Sequence, residues 1–269
     1  MSRSLCSGYV RLLIAACILL AGSSVCGQGY DEGQGYDEVQ VFEEIYLVDS
    51  PTAGILPHGG YLIYGSVGPR SSLLFGVKIG FSERLLLGAS FGLQEFIGRG
   101  EVDLNEKPGF ELRLRLLEEW ENRPALALGI DTQGEDSYDE DGERYERKSK
   151  GFYAVVSKNY HLIRDFSVHG GINYSLETRD EEGVNLFGGC SLELFPGFSL
   201  LLDYNAALDD NERNLGTRWT RGRGYLDSGV RFDYMDKLRL KILFKDLLGN
   251  YIPEKGVARS IEIFYINYF

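Results

Sequence analysis

Residues 72–81 read SLLFGVKIGF, and after only three residues, SER, a second run of the same kind follows over 85–93. In the first run Leu73, Phe75, Val77, Ile79 and Phe81 alternate with Gly76, Lys78 and Gly80. A period of two sets these groups on opposite faces of an extended strand, one apolar and one small or charged. A strand pair joined by a three-residue turn is antiparallel, and its apolar face needs a cover. A soluble sandwich covers it with a second sheet; a membrane barrel covers it with lipid.

The rhythm recurs along the chain. Strands are expected at 59–67, 72–81, 85–93, 109–117, 125–133, 151–160, 166–177, 184–194, 198–208, 225–235, 238–247 and 260–269. FELRLRLL (110–117) sets Phe110, Leu112, Leu114 and Leu116 against Glu111, Arg113 and Arg115, and FSVHGGINYSL (166–176) opposes Ile172 and Tyr174 to Ser167, His169 and Asn173. GFYAVVSKNY (151–160) fits either register.

The connections separate the two covers. SER, the PG after Phe195 and MDK are short, and HLIRD and EEWENRP fairly short. Between them run IGRGEVDLNEK, GEDSYDEDGERYERKSK, DDNERNLGTRWTRGRG and GNYIPEKGVAR, long and charged, with GPRSS and RDEEG the modest members of that set. Alternation of short and long connections is the asymmetry of outer-membrane barrels. The expected fold is therefore all-β, a transmembrane antiparallel up-and-down barrel of about twelve strands. An even count returns the C-terminus to the side on which the first strand begins.

The last ten residues, SIEIFYINYF (260–269), fit that fold and no frayed tail. As the closing strand they pair with the first, because backbone groups in hydrocarbon are satisfied only when the sheet closes. A terminal Phe269 with Tyr265 on the same face also resembles the signal by which bacterial outer-membrane proteins are recognised for insertion, although Asn267 departs from that pattern.

Composition agrees. Among 269 residues there are 34 Gly, 17 Tyr and 15 Phe but only 7 Pro and 2 Met, which favours strands and tight turns. Mean hydropathy is −0.18, ordinary for a barrel whose strands alternate. The net charge of −12 argues against a nucleic-acid partner. Arg3 and Arg11, the apolar LLIAACILLA (12–21) and the small residues GSSVCG (22–27) read as a cleaved signal peptide over 1–26. Two lipid-anchor readings compete with simple cleavage, at Cys17 of IAAC (14–17) and at Cys26. Cys190 is then the one cysteine clearly in the mature chain, and no CxxC pattern is present. Residues 27–58, opening on the tandem repeat GQGYDEGQGYDE (27–38), read as a periplasmic leader or tether, and 59–269 as the barrel.

Inward-facing charges should be Lys78, Glu111, Arg113, Arg115, Asp131, Glu193, Asp203, Asp227, Arg231, Asp233, Arg239, Lys241, Lys245 and Glu262. These are seven acids and seven bases, where a strongly selective pore would show an excess of one sign. Two readings stay open: cross-strand ion pairs filling a narrow lumen, or a water-filled conduit. Arg113, Arg115, Arg239 and Lys241 would make a local basic ladder if their strands are neighbours.

Other chemistry is thin. Ser167 and His169 have the spacing of a barrel hydrolase pair, but in reversed order, pointing inward and with no third residue to orient the base. EDSYDEDGE (135–143) is rich in carboxylates, yet aligning Gly142 with the turn glycine of a calcium loop puts Ser137 first and Lys148 last, where acids are required. No catalytic residue, metal site or cofactor is expected. Arg218, Trp219, Arg221 and Arg223 in NLGTRWTRGRGY (214–225) combine guanidinium groups with an aromatic platform suited to anionic glycan, or form a solvated loop.

YLVDSPTAGILPHGGY (46–61) resembles the opening of the YjbH-like outer-membrane proteins associated with exopolysaccharide production, and KGFYAVVSKNYHLIRDFSVHGGINY (150–174) is similar to that family's strand, tight turn and Gly-rich return strand. The resemblance implies an outer-membrane location and a loose link to polysaccharide secretion, and supplies no catalytic residues. The expected function is that of a non-enzymatic accessory in exopolysaccharide export, with a general diffusion porin and a barrel hydrolase as alternatives. Expected partners are outer-membrane lipid and lipopolysaccharide, the insertion machinery and polysaccharide.

Overall fold

A computed structural model of the protein describes residues 42–94, 103–104, 107–139, 144–161, 164–177, 183–210, 220–235, 237–251 and 256–269. The expected signal peptide, the repeat and Arg218 and Trp219 lie outside these residues.

Twelve antiparallel strands close into a barrel: β1 (Gly60–Val67), β2 (Leu73–Ser82), β3 (Leu85–Gln94), β5 (Gly109–Leu117), β6 (Ala125–Asp131), β9 (Gly151–His161), β10 (Asp165–Tyr174), β11 (Val184–Phe195), β12 (Phe198–Asn205), β13 (Tyr225–Tyr234), β14 (Leu238–Lys245) and β15 (Ala258–Tyr268). Each pairs with its neighbours in sequence around the ring. The short β4 (Asp103–Leu104) extends the pairing of β3, and β7 (Glu135–Asp139) with β8 (Arg144–Arg147) makes a separate hairpin inside a long loop. The seam runs from Gly60↔Tyr268 to Val67↔Ile261, and the Phe269 amide donates to the Gly59 carbonyl (3.0 Å). All twelve expected strands are present, with ends moved by a few residues.

The outward face is apolar. Phe75, Phe91, Phe110 and Phe152 are each half or more exposed, and Ile63, Val77, Leu112, Leu114, Leu128, Ile172, Leu186, Leu200, Ile242 and Ile263 share that surface. An apolar belt of this extent around a closed barrel is a lipid-facing surface. The turns at one end are tight; Gly197, at φ 79°, sits in the turn between β11 and β12, where only the left-handed conformation closes the chain. The strand ends that the longer connections join lie at the other end. Of the described helices, none is long and apolar enough to cross a membrane.

Candidate functional site: the luminal hairpin

Residues 42–57, which the sequence places in the leader, are held by inward-facing side chains of the barrel. The segment turns back on itself. The Leu47 amide donates to the Ser50 carbonyl (3.0 Å), Tyr46 bridges Pro51, and the Thr52 amide donates to the Ile45 carbonyl (3.0 Å). Asp-Ser-Pro at 49–51 is the turn chemistry such a reversal needs. The Thr52 hydroxyl donates to the Glu44 carbonyl and accepts from the Gly54 amide (2.9 Å). Gly54 is required here, because a Cβ would lie 2.1 Å from the Glu44 carbonyl oxygen. An isolated two-stranded hairpin is marginal in water, so its partners in the barrel must hold it.

Two basic rows do so. On β5, Arg113 is fully buried and uses its whole guanidinium: Nη1 donates to the carbonyls of Ile45 (2.9 Å), Thr52 (3.0 Å) and Gly54 (2.8 Å), Nε to the Tyr153 hydroxyl (2.8 Å) and Nη2 to Glu111 (2.8 Å). Glu111 also pairs with Lys78. Arg115 donates to the Ala53 carbonyl (3.0 Å) and pairs with Glu43. On β14, Arg239 reaches Glu44 (3.4 Å), Lys241 donates to Glu44 (2.7 Å) and to the carbonyls of Tyr46 (2.6 Å) and Leu47 (3.0 Å), and Lys245 pairs with Asp49 (2.7 Å). The expected single ladder is thus not formed: β5 and β14 are separated by four strands along the shorter arc. Each row grips the hairpin instead.

The acids complete the cradle. One oxygen of Asp203 accepts from the amides of Asp49 (2.9 Å) and Ser50 (2.7 Å), capping the hairpin's turn. The Tyr46 hydroxyl donates to Asp131, and Arg231 pairs with Glu44 and with Asp233 (3.0 Å). Asp227 takes Arg147 of β8 (2.9 Å), which also reaches Asp49 (2.6 Å). Glu193 accepts the Gly197 amide (3.0 Å), so it serves a turn and not the hairpin. Burial raises the Glu44 carboxyl, but Lys241, Arg239 and Arg231 outweigh that and hold it well below the usual carboxylate range. Asp49 is lowered in the same way, burial being overcome by Lys245 and Arg147.

Apolar packing fixes the rest. Phe42, Ile45, Ile55 and Leu56 cluster with Leu62, Leu86 and Ile266; Leu47 and Val48 with Leu201 and Leu243; Ala53 with Ala125, Ala127, Tyr153, Val155 and Phe187. These inward apolar side chains explain the ambiguous 151–160: Tyr153 and Val155 meet Ala53 while Phe152 and Val156 meet the outside. At Gly80 a Cβ would fall 2.1 Å from the Pro57 carbonyl oxygen, so the returning arm passes directly over β2.

At the long-loop end the β7–β8 hairpin is also drawn in. Arg144 pairs with Asp210 (2.7 Å), and Glu177 accepts the amides of Tyr145 and Ser149 (2.9 Å each). Burial raises the Glu177 carboxyl, with those amide bonds and the Ser149 hydroxyl opposing it.

Ser167 and His169 do meet: Oγ and Nε2 lie 2.8 Å apart. The other ring nitrogen faces Ser157 Oγ (2.7 Å), not a carboxylate, and that hydroxyl accepts the Ala53 amide (2.7 Å). The pair is therefore a buried polar relay holding the hairpin's backbone. Arg221 and Arg223 lie near Asn250, whose carbonyl and side chain accept their amides (2.9 and 2.8 Å), and the Arg223 guanidinium donates to the Leu248 carbonyl (3.1 Å). Tyr265 and Phe269 stand exposed beside Tyr61 at the seam, with ring centroids 6.5 and 4.9 Å away.

No family model matches the chain, and no curated protein matches it. Among solved structures it is similar to the NanC porin (8% identity, TM-score 0.46, covering 78% of this chain and 99% of that one). It is also similar to an outer-membrane channel from Pseudomonas putida F1 (11%, 0.41, 79% and 97%) and to the translocator domain of the autotransporter NalP from Neisseria meningitidis (12%, 0.35, 78% and 86%). No function is carried over from them.

Proposed function

We propose that the chain is a non-enzymatic outer-membrane barrel, closed at rest by its own hairpin, that serves as an accessory in exopolysaccharide export and not as a general diffusion pore. The observation that carries closure is the Arg113 clamp: three hairpin carbonyls on one buried guanidinium nitrogen. The apolar belt supports a place in the outer membrane, surrounded by lipid and lipopolysaccharide, and the aromatic closing strand supports delivery there by the insertion machinery. The export role rests on the resemblance of residues 46–61, and the first half of that stretch, 46–54, is the part of the hairpin that the lumen grips most heavily. A wide lumen would be needed for unselective diffusion, and here side chains from both sides spend their hydrogen bonds on an internal segment.

Deleting the gene in its native bacterium discriminates the readings. The proposal expects less surface polysaccharide and unchanged uptake of small hydrophilic solutes. Unchanged polysaccharide with slower solute uptake would favour the diffusion porin instead.

A further inference from the structure

Docking of the hairpin leaves a chamber of about 170 Å³ towards the long-loop end, against the seam between β1 and β15. Its seam wall carries Tyr64, Ser66, Ser260, Glu262 and Phe264, and Tyr46 of the hairpin faces them. Two of these groups make no hydrogen bond to the protein. The Ser260 hydroxyl is buried, at 3% exposure, and makes no hydrogen bond. Glu262 stands opposite Lys241 in the β14–β15 register, the position from which an ion pair is expected. An ammonium has three N–H donors, however, and those of Lys241 go to Glu44, Tyr46 and Leu47. Glu262 is left without a hydrogen bond or salt bridge among the described residues. Buried polar groups without partners call for an occupant.

The chemistry of the wall selects the occupant. The lining sets Arg147, Lys148, Lys150 and Lys245 beside Asp49, Glu111, Asp131, Glu135 and Glu262, so neither sign of charge is favoured. Hydroxyl groups suit the site: Glu262 offers acceptors, and Ser260 and Ser66 both donate and accept. The stacked rings of Tyr64 and Phe264, centroids 5.8 Å apart, both line the chamber and give its wall an apolar patch for C–H bonds. By the same measure one water needs about 10–15 Å³, so the chamber has room for a single sugar ring.

We propose that this chamber binds a single ring of a neutral sugar, with Glu262 and Ser260 taking its hydroxyls and the Tyr64–Phe264 pair lying against its C–H bonds. This deepens the proposed function and rests on the docked hairpin that forms one wall of the chamber.

The test is saturation-transfer NMR on the full chain in detergent, with glucose, mannose and galactose as free sugars and maltohexaose as the chain-end probe. The proposal expects transfer to ring protons of at least one free sugar, or to the terminal residue of the hexasaccharide alone, which identifies a glycan end as the source. Glu262→Gln should weaken binding about tenfold or more, and Ser260→Val, which removes the hydroxyl and adds bulk in its place, should weaken it at least as much. Heat-modifiable gel migration shows that each variant is folded, and Ile261→Val, on the lipid face, should bind as the parent does. No transfer with any probe, or equal transfer in parent and variants, overturns the proposal. Bilayer conductance on the same preparation reads closure separately: silent bilayers without sugar binding sink the chamber alone, and steady conductance sinks the docked hairpin.

Discussion

Arg113 and Gly54 are 59 positions apart in sequence, and Nη1 of the first lies 2.8 Å from the carbonyl oxygen of the second. The same nitrogen serves Ile45 and Thr52, so one side chain on a barrel strand ties both arms of the hairpin. Arg113→Ala would take a donor from three carbonyls, the Tyr153 hydroxyl and Glu111 in the buried lumen, and would leave the Thr52 and Gly54 carbonyls without the side chain that holds them. Removing one partner from a buried charged network costs about 3–5 kcal/mol. Limited proteolysis in detergent should cut within 42–57 in this variant and leave the parent intact there, with the strands protected in both. Arg113→Lys keeps charge but not the fork, and should be intermediate.

Gly80→Val should act on the returning arm from the opposite wall. Its side chain would occupy the space of the Pro57 and Leu56 carbonyls, so the arm must lift. A lowered melting temperature together with a proteolytic site near 55–58 is expected. A variant as stable and as protected as the parent would show that the arm does not lie over β2.

Leu112 is the lipid-facing neighbour of Arg113. Leu112→Arg should destabilise the barrel by about 2–4 kcal/mol if it lies near the bilayer midplane, measured as reversible unfolding in lipid vesicles. The hairpin should remain protected, because the damage is outside the lumen.

The ion pairs of Glu44 and Asp49 should be indifferent to mild acid. Glu44 and Asp49, with ordinary values of 4.5 and 3.8, are both held lower when docked. A carboxyl lowered on docking contributes its stabilisation above its free value and loses it as pH falls from there towards the docked value. The contribution of these two carboxylates to protection of 42–57, read as the difference between the parent and Glu44→Gln or Asp49→Asn, should therefore be flat from neutral pH to near 5 and decline only below the free values. A difference that falls between pH 7 and 5 would contradict the ion-pair assignment.

Deleting Asn267–Phe269 should prevent assembly in the outer membrane, since it removes the Gly60↔Tyr268 end of the seam and the two terminal aromatics. Each unpaired backbone group in hydrocarbon costs several kcal/mol. Phe269→Ala alone should slow assembly, measured as the fraction of newly made chain resistant to surface protease.

The barrel was legible in the sequence because its rule is local: Phe75, Val77 and Ile79 alternate with Gly76 and Lys78, and the turn lengths alternate too. The inward charges were legible for the same reason. Their partners were not. Arg113 and Lys241 look like members of a wall network, and nothing in their strands says that they serve a segment upstream of β1. A signal existed in YLVDSPTAGIL (46–56), where apolar side chains flank a tight-turn sequence in a stretch assigned to a leader or tether. Tyr153, Val155, Leu201 and Leu243 were a second signal, large apolar residues at lumen-facing positions that a water-filled pore would not place there. Contacts 59 to 197 residues apart in sequence leave no periodic trace.

Planar-bilayer recording of the purified full chain, beside the Arg113→Ala and Lys241→Ala double variant, tests the central claim most directly. The account predicts that the parent inserts without steady conductance and that the double variant shows discrete open events. Steady, equal conductance from both proteins would mean that the hairpin does not close the lumen.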